Sequence, residues 1–340
     1  MAERNPLLVG SRLLFHLACA VVVIFGLRAA AGILVPVAFA FILSLLSLPL
    51  LDRLRRLRAP VWLGVLLTLI VNVAVLSLFL LVLSQSVNEV RLAVPRYVQQ
   101  LQQLVLSVQG WLVERNIPVG DLVLLDLLNP EQVVGLVTAT LRSVTWAVSN
   151  AFLVLLVMAF TLAESAALPT KLRAALGSDE ADLSRFAKVV VEVQTYLGIK
   201  TVVSLITGIL VGTWVWILGV DFPLFWGLMA FLFNYIPSIG SLLAAIPPML
   251  LALVQHGPQI ALLVALGYLA VNVTLGNLIE PNLMGRRLGL STLVVILSLV
   301  FWGWVWGPVG MLLAIPMTVM LKIAMENTDD VRWIAILLGP

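Results

Sequence analysis

The chain has 340 residues, of which 61% are hydrophobic and only 11% are charged, and its formal net charge is +3. Soluble domains carry about 25% charged residues, so this composition excludes a soluble protein and predicts an all-α polytopic membrane protein in a lipid bilayer. The few cations leave no basic face for a nucleic acid. The sequence also lacks the motifs of zinc proteases, serine hydrolases and P-loop proteins, so it predicts neither an enzyme nor a cofactor or metal.

Three apolar segments near 13–30, 33–51 and 60–84 predict an N-terminal membrane scaffold of three spans over residues 1–84. The loop after the second segment reads DRLRRLRAP and carries four arginines. The positive-inside rule predicts that this loop is cytoplasmic. Because two spans precede the loop, the N-terminus is predicted to be cytoplasmic as well.

Residues 85–143 have a different pattern. Apolar residues recur at three- and four-residue steps from Val90 to Leu112, which indicates an amphipathic helix. We predict an extramembrane helical module that packs on the membrane domain, or else lies on the membrane surface. A fourth span near 144–163 and a charged cytoplasmic connector are predicted to follow, within residues 144–198.

An internal repeat marks residues 199–325. The stretches IPSIGSLLAAIPPM (236–249) and WGPVGMLLAIPM (306–317) share a proline, a glycine, Leu-Leu-Ala, Ile-Pro and a methionine. Each follows an ordinary apolar helix, predicted at 199–219 and 258–279. Paired Gly/Pro-interrupted segments in corresponding halves are typical of transporter binding sites, so these residues are predicted to form an inverted-repeat transport region.

The two interrupted segments are predicted to be re-entrant helical hairpins. Residues 223–236 would extend only about 21 Å as a helix, against a hydrocarbon core of about 30 Å. The fold prediction is therefore about six spanning helices plus two inverted re-entrant hairpins, and the alternative is eight plain spans with proline kinks. The predicted hinges are Pro237, Gly240, Gly307, Pro308 and Gly310. With the first segment as a hairpin, Arg286, Arg287 and the C-terminal tail (326–340) are cytoplasmic.

Glu280 is the leading candidate for ion coupling, because it is a lone carboxylate at the polar end of an apolar helix. It either takes and releases protons or pairs with Arg286 or Arg287 as a structural clasp. Lys200 is either a substrate contact or an anchor whose ammonium reaches the membrane surface.

Four further side chains are candidates for substrate contact. Asn234 and Tyr235, at the first hairpin tip, either bind a polar solute or satisfy carbonyl groups freed by Pro237. Asn272 and Asn277 precede Glu280 and are predicted to line the same path. The predicted site joins both hairpin tips to residues 277–287.

Several long stretches resemble a known family. YLGIKTVVSLITGILVG (196–212), GVDFPLFWGLMAFLFNYIPSIGSLLAAIPP (219–248), GNLIEPNLMGRRLGLSTLVVILSL (276–299) and FWGWVWGPVGMLLAIPMTVMLKIAME (301–326) are similar to the autoinducer-2 exporter family, the PerM-type permeases. The family pattern falls on Asn234, Pro237, Gly240, Glu280, Pro281, Gly285, Gly289, Gly307, Pro308, Gly310 and Pro316.

The resemblance implies a bacterial inner-membrane exporter of small solutes that is homo-oligomeric, with a pentamer suggested, and has a moving transport domain. Family members are associated with export of autoinducer-2 and others with sodium–proton antiport. Our hypothesis is a secondary transporter that exports a small polar solute, foremost the quorum-sensing signal autoinducer-2, by alternating access driven by a proton or sodium gradient. The alternatives are a sodium–proton antiporter and a non-transporting membrane scaffold.

Overall fold

A computed structural model describes residues 6–58, 60–115, 149–165, 180–237, 239–284, 290–326 and 332–339, with isolated positions between 167 and 174. The helices are α1 (Pro6–Ala29), α2 (Ala31–Arg56), α3 (Val61–Glu114), α4 (Ser149–Glu164), α5 (Glu180–Ile217), α6 (Pro223–Phe233), α7 (Ile239–His256), α8 (Pro258–Val271), α9 (Thr292–Glu326) and α10 (Arg332–Leu337). A π-helix, Asn272–Ile279, and a final turn, Glu280–Met284, continue α8. All regular structure within these ranges is helical, which confirms the predicted all-α class.

Five helical stretches in the described part of the chain are long and apolar enough to cross a membrane: Ala31–Arg56, Val61–Ala93, Val190–Ile217, Pro258–Leu283 and Leu293–Ile323. Shorter apolar helices are Ala18–Ala29, Ser149–Glu164, Pro223–Phe233 and Gly240–His256. The chain is therefore a multi-pass membrane protein. The finer prediction of six spans and two re-entrant hairpins stays a prediction.

The third span and the start of the predicted 85–143 module form one helix. α3 runs for 54 residues from Val61 to Glu114 and contains Pro95. Val90 on this helix is buried, whereas Leu92 and Leu106 are exposed. The rest of the module, residues 116–148, lies outside the described residues.

The chain divides into two compact units that do not follow chain order. Unit 1 comprises Met1–Trp62, Leu153–Val193 and Leu288–Pro340, and unit 2 comprises Leu63–Phe152 and Gln194–Arg287. In unit 1, α9 packs on α1, α2 and α10. The sequence division into 1–84, 85–143, 144–198, 199–325 and 326–340 stays a prediction.

The core of unit 2 is formed by α3, α5, α6, α7 and α8, and it includes Val87, Val215, Trp226, Ala252 and Val264. Glycines bring two of these helices close together. A Cβ on Gly208 would lie 2.7 Å from the Gly227 carbonyl oxygen, and one on Gly212 would lie 3.2 Å from that of Pro223. Small residues four apart allow such backbone contact between membrane helices, so α5 holds α6 firmly along this face.

The residues just before α6 and the end of α7 lie close together. His256 Nε2 lies 3.0 Å from the Gly219 carbonyl oxygen, and the Asp221 N–H donates to Gln255 Oε1 over 3.2 Å. At the far end, a Cβ on Gly240 would lie only 1.8 Å from the Phe233 carbonyl oxygen. We call residues 223–256 the first hairpin.

A second break interrupts α9. Gly307 has φ 67° and ψ −153°, which is not helical and separates residues 292–306 from 308–326. A Cβ on Gly310 would lie 2.0 Å from the Trp302 carbonyl oxygen. Residues eight apart in a straight helix are about 12 Å apart along its axis, so the chain folds back on itself here. We call residues 292–326 the second hairpin. It belongs to unit 1, whereas the first belongs to unit 2.

Candidate functional site

A buried ion pair lies within unit 2. Lys200 Nζ lies 2.6 Å from Glu280 Oε1, and the side chains are 3% and 14% exposed. Lys200 is the single cation of the apolar stretch Val190–Ile217, and Glu280 is the single charged residue of Pro258–Leu283. Moving each charge out of water costs several kcal/mol, and the attraction between the two charges offsets this cost only while they stay in close contact.

The tip of the first hairpin is hydrogen-bonded to the helix that carries Lys200. Asn234 Nδ2 donates to Ser204 Oγ over 2.9 Å, and the Tyr235 hydroxyl donates to Thr201 Oγ1 over 2.8 Å. Asn234 and Ser204 are buried. Together with the ion pair, these contacts join three parts of unit 2: α5, the hairpin tip and the end of the α8 extension. We call Lys200, Thr201, Ser204, Asn234, Tyr235 and Glu280 the polar cluster.

Helical spacing explains why α5 contributes so much to the cluster. Lys200, Ser204 and Thr207 are four and three residues apart, so they lie on one face, and all three are buried. Thr201 donates to the Leu197 carbonyl over 2.7 Å, and Thr207 donates to that of Val203 over 2.9 Å. These bonds satisfy hydroxyl groups that would otherwise be costly to bury.

The polar cluster lies far from both ends of the apolar part of α5. Lys200 is about 15 Å along the helix from Val190 and about 26 Å from Ile217, at 1.5 Å a residue. The hydrocarbon core is about 30 Å thick. The stretch Val190–Ile217 is about 42 Å long, more than the core requires. The charged pair is a functional-site candidate because it is buried among apolar helices, where isolated charges are expensive.

The π-helix Asn272–Ile279 ends directly before Glu280, which belongs to the polar cluster. The Glu280 N–H bonds to the Leu275 carbonyl, five residues earlier. Pro281 follows and has no N–H, and its ring would clash with the carbonyl four residues before it in an α-helix. The wider turn relieves that clash. π-helical turns are rare and frequent at functional sites.

The other predicted site residues are not among the six residues of the polar cluster. Asn272, the first residue of the π-helix, is half-buried, and Asn277, its sixth residue, is exposed. Pro237 is half-buried at the hairpin tip and Gly240 is buried at the return. Arg286 and Arg287 lie outside the described residues, so the predicted Glu280–arginine clasp stays a prediction, whereas the contact with Lys200 was not predicted.

The hinge residues of the second hairpin lie among indoles of unit 1. Trp302 Nε1 donates to Thr318 Oγ1 over 3.0 Å, and Trp306 Nε1 donates to the Leu27 carbonyl over 3.1 Å. Gly307 is followed directly by Pro308, which begins the second arm in a position where its missing N–H costs nothing. These contacts fix the tip within unit 1.

Thr201 and Ser204 were missed as site residues. For Ser204, its position four residues after Lys200 on an apolar helix was the available signal, whereas Thr201, directly after Lys200, gave none. The small-xxx-small pattern of Gly208 and Gly212 was the signal for the packing of α5. No sequence pattern pairs α5 with the hairpin tip 30 residues later, because that contact depends on tertiary packing.

Comparison with known proteins gives consistent matches over the whole chain. The family described as AI-2E family transporter matches residues 17–330. AI-2 transport protein TqsA of Escherichia coli (strain K12) is 38% identical over 339 residues, 100% of this chain and 98% of the relative. Putative transport protein YhhT of the same strain is 36% identical over 342 residues, 100% and 97%. A putative transport protein of Haemophilus influenzae is 36% identical over 335 residues, 96% of each chain.

Proposed function

This chain belongs to the AI-2E family of transporters, a family of transport proteins rather than enzymes, and on that premise we propose that it exports a small polar solute driven by an ion gradient. The name of the relative TqsA makes autoinducer-2 the first solute to test. We place the protein in a bacterial inner membrane with both termini cytoplasmic, as a homo-oligomer for which a pentamer is the working hypothesis.

The observation that carries this proposal is the buried Lys200–Glu280 pair beside the hairpin tip. The pair is the charged part of an otherwise neutral cluster of hydroxyl and amide groups. Ionisable residues buried within apolar membrane helices mark ion pathways and proton relays in membrane proteins. Hydroxyl and amide groups are the donors and acceptors that a hydroxylated solute needs.

The proposed roles follow from the contacts. Asn234 and Tyr235 exchange their hydrogen bonds with Ser204 and Thr201 for bonds with the solute when the tip moves. Pro237 and Gly240 are the hinges of that movement, and Gly307, Pro308 and Gly310 are the hinges of the second hairpin. Asn272 and Asn277 line the approach to Glu280, and Arg286 and Arg287 take part in the coupling.

Glu280 is proposed to carry the coupling. Its carboxylate accepts a proton or a sodium ion from one side, becomes neutral, and returns that charge on the other side. Transport of the solute is tied to this cycle because the Glu280 side chain and the hairpin tip contact neighbouring residues of one helix, Lys200 and Thr201.

The test is autoinducer-2 flux in proteoliposomes, with and without an imposed proton gradient, for wild type and Glu280→Gln. The matched control is Glu326→Gln, whose carboxylate also pairs with a lysine (Lys322, 3.5 Å) but is 47% exposed. We expect gradient-dependent flux in wild type and Glu326→Gln and its loss in Glu280→Gln. Normal gradient-dependent flux in Glu280→Gln would show that the coupling assignment is wrong.

If correctly inserted protein shows no autoinducer-2 flux, autoinducer-2 is excluded as its solute. Cation–proton exchange is then the next function to test. Sodium-dependent proton movement across the same vesicles measures this directly. Absence of both activities would favour a non-transporting scaffold.

A further inference from the structure

Glu280 is less enclosed than its partner. Within the described residues, the ion pair uses Oε1, and Lys200 contacts the carboxylate from the α5 side. The Glu280 side chain as a whole is 14% exposed, against 3% for Lys200. Asn277, Leu278 and Pro281, in the segment that carries Glu280, are exposed.

The ammonium of Lys200 occupies the position that a coupling cation would take. A carboxylate oxygen 2.6 Å from an ammonium group already has its charge compensated. Within the described residues, the Tyr196 phenol on α5 also interacts with Glu280, and it supplies no positive charge. In the described part of unit 2, Lys200 is thus the one cation in contact with this carboxylate.

From this geometry we infer that Lys200 is an internal competitor for the cation site at Glu280. A monovalent cation binds to the Glu280 carboxylate by displacing the Lys200 ammonium, which releases a proton to the solvent because it would otherwise be a buried charge without a partner. Lys200 takes up a proton again and returns to the carboxylate when the cation leaves. This inference rests on the proposed ion coupling at Glu280 and adds the resting occupant of the site. The competition keeps the carboxylate charge-compensated in both states, which lowers the cost of crossing the membrane without a bound ion.

Competition makes a prediction that a merely structural ion pair does not. Removing the competitor must strengthen cation binding at the remaining carboxylate, even though it removes a stabilising contact. A structural clasp that loses its lysine would instead lose order at Glu280, and binding would weaken or stay absent. The two readings therefore predict changes of opposite direction.

The experiment measures binding of radioactive sodium ion to the purified full-length protein in the absence of any organic solute. We expect Lys200→Met to bind sodium about tenfold more tightly than wild type, within the usual range of coupling between two ligands. Lys200→Arg should bind sodium no better than wild type, because the guanidinium also pairs with the carboxylate. Lys200→Met combined with Glu280→Gln should abolish the gained binding.

Equal or weaker sodium binding by Lys200→Met would overturn the inference, as would tight binding that persists in the double variant. If Lys200→Met does not fold, Lys200→Gln takes its place, with the same expected direction. Because no solute is present, this result is independent of the flux assay. Tighter sodium binding by Lys200→Met together with no autoinducer-2 export would support Lys200 as the competitor and exclude autoinducer-2 as the solute.

Discussion

At the scale of single residues, the free energy of unfolding depends on the Lys200–Glu280 pair. Glu280→Gln and Lys200→Met should each lower the free energy of unfolding by about 3–5 kcal/mol, because each leaves one buried charge without its partner. The double variant should lose much less than the sum, since no charge remains. Titration of unfolding with a denaturing detergent measures all three. Additive losses would mean that the two side chains do not stabilise each other.

The two return glycines are a second residue-scale determinant. Gly240→Ala and Gly310→Ala would place a methyl group 1.8 Å and 2.0 Å from backbone carbonyl oxygens, so the backbone must shift. We expect a loss of about 1–3 kcal/mol or more in the free energy of unfolding for each. Gly32→Ala is the matched control, because a Cβ there meets nothing within 4 Å. Equal stability of all three variants would contradict the tight returns.

Much of this local detail was available in the sequence and some was not. Prolines and glycines at 237–240 and 307–310 predicted where the apolar helices are interrupted, because those residues have strong backbone preferences. The π-helix was not predicted, since its apolar pattern reads like an α-helix on either side. Glu280 was recognised as unusual, but its partner is 80 residues away. Only the packing of α5 against the α8 extension brings the pair together.

At the scale of elements, a polar network joins α3 to the ends of the first hairpin. The Tyr97 hydroxyl donates to Asp221 Oδ2 and accepts from Gln255 Nε2 over 2.6 Å. The Tyr97 ring also packs edge-on against Phe222, whose φ is 63°. One side chain therefore contacts both the residue before α6 and the end of α7.

Tyr97→Phe should reduce the free energy of unfolding by about 1 kcal/mol, the usual contribution of such a hydrogen bond. Tyr268→Phe is the matched control, because the buried Tyr268 hydroxyl has no hydrogen-bond partner among the described residues and its removal should be neutral or stabilising. A loss in Tyr268→Phe equal to that in Tyr97→Phe would show that the hydrogen bonds of Tyr97 do not add to stability.

The Tyr97 contribution should also depend on pH. Burial raises the pKa of the Tyr97 phenol above its ordinary value, and the hydrogen bond to Asp221 raises the pKa further. A raised pKa means that the folded protein holds the proton more tightly than the unfolded chain. The stability difference between wild type and Tyr97→Phe should therefore be constant below pH of about 10 and shrink above it. A difference that grows with alkaline pH would show that the sign is wrong.

At the scale of the whole molecule, the contacts of unit 2 lead to a predicted orientation in the membrane. Residues 97, 221 and 255 meet, so we predict that the far end of the α3 span, the end of α5 and both ends of the first hairpin are on one side of the membrane. Four arginines between residues 53 and 58 precede α3 in the sequence. By the positive-inside rule, we predict that the arginine end is cytoplasmic and the Tyr97 end is external.

Labelling with a membrane-impermeant maleimide tests this orientation. The chain has one cysteine, Cys19, so Cys19→Ser gives a background without thiols. Leu57 and Leu106 flank the α3 span and are 78% and 66% exposed. In intact spheroplasts, Leu106→Cys should be labelled and Leu57→Cys should not, whereas permeabilised cells should label both. The reverse pattern in intact spheroplasts would invert the whole topology, and it would make the first hairpin open to the cytoplasm.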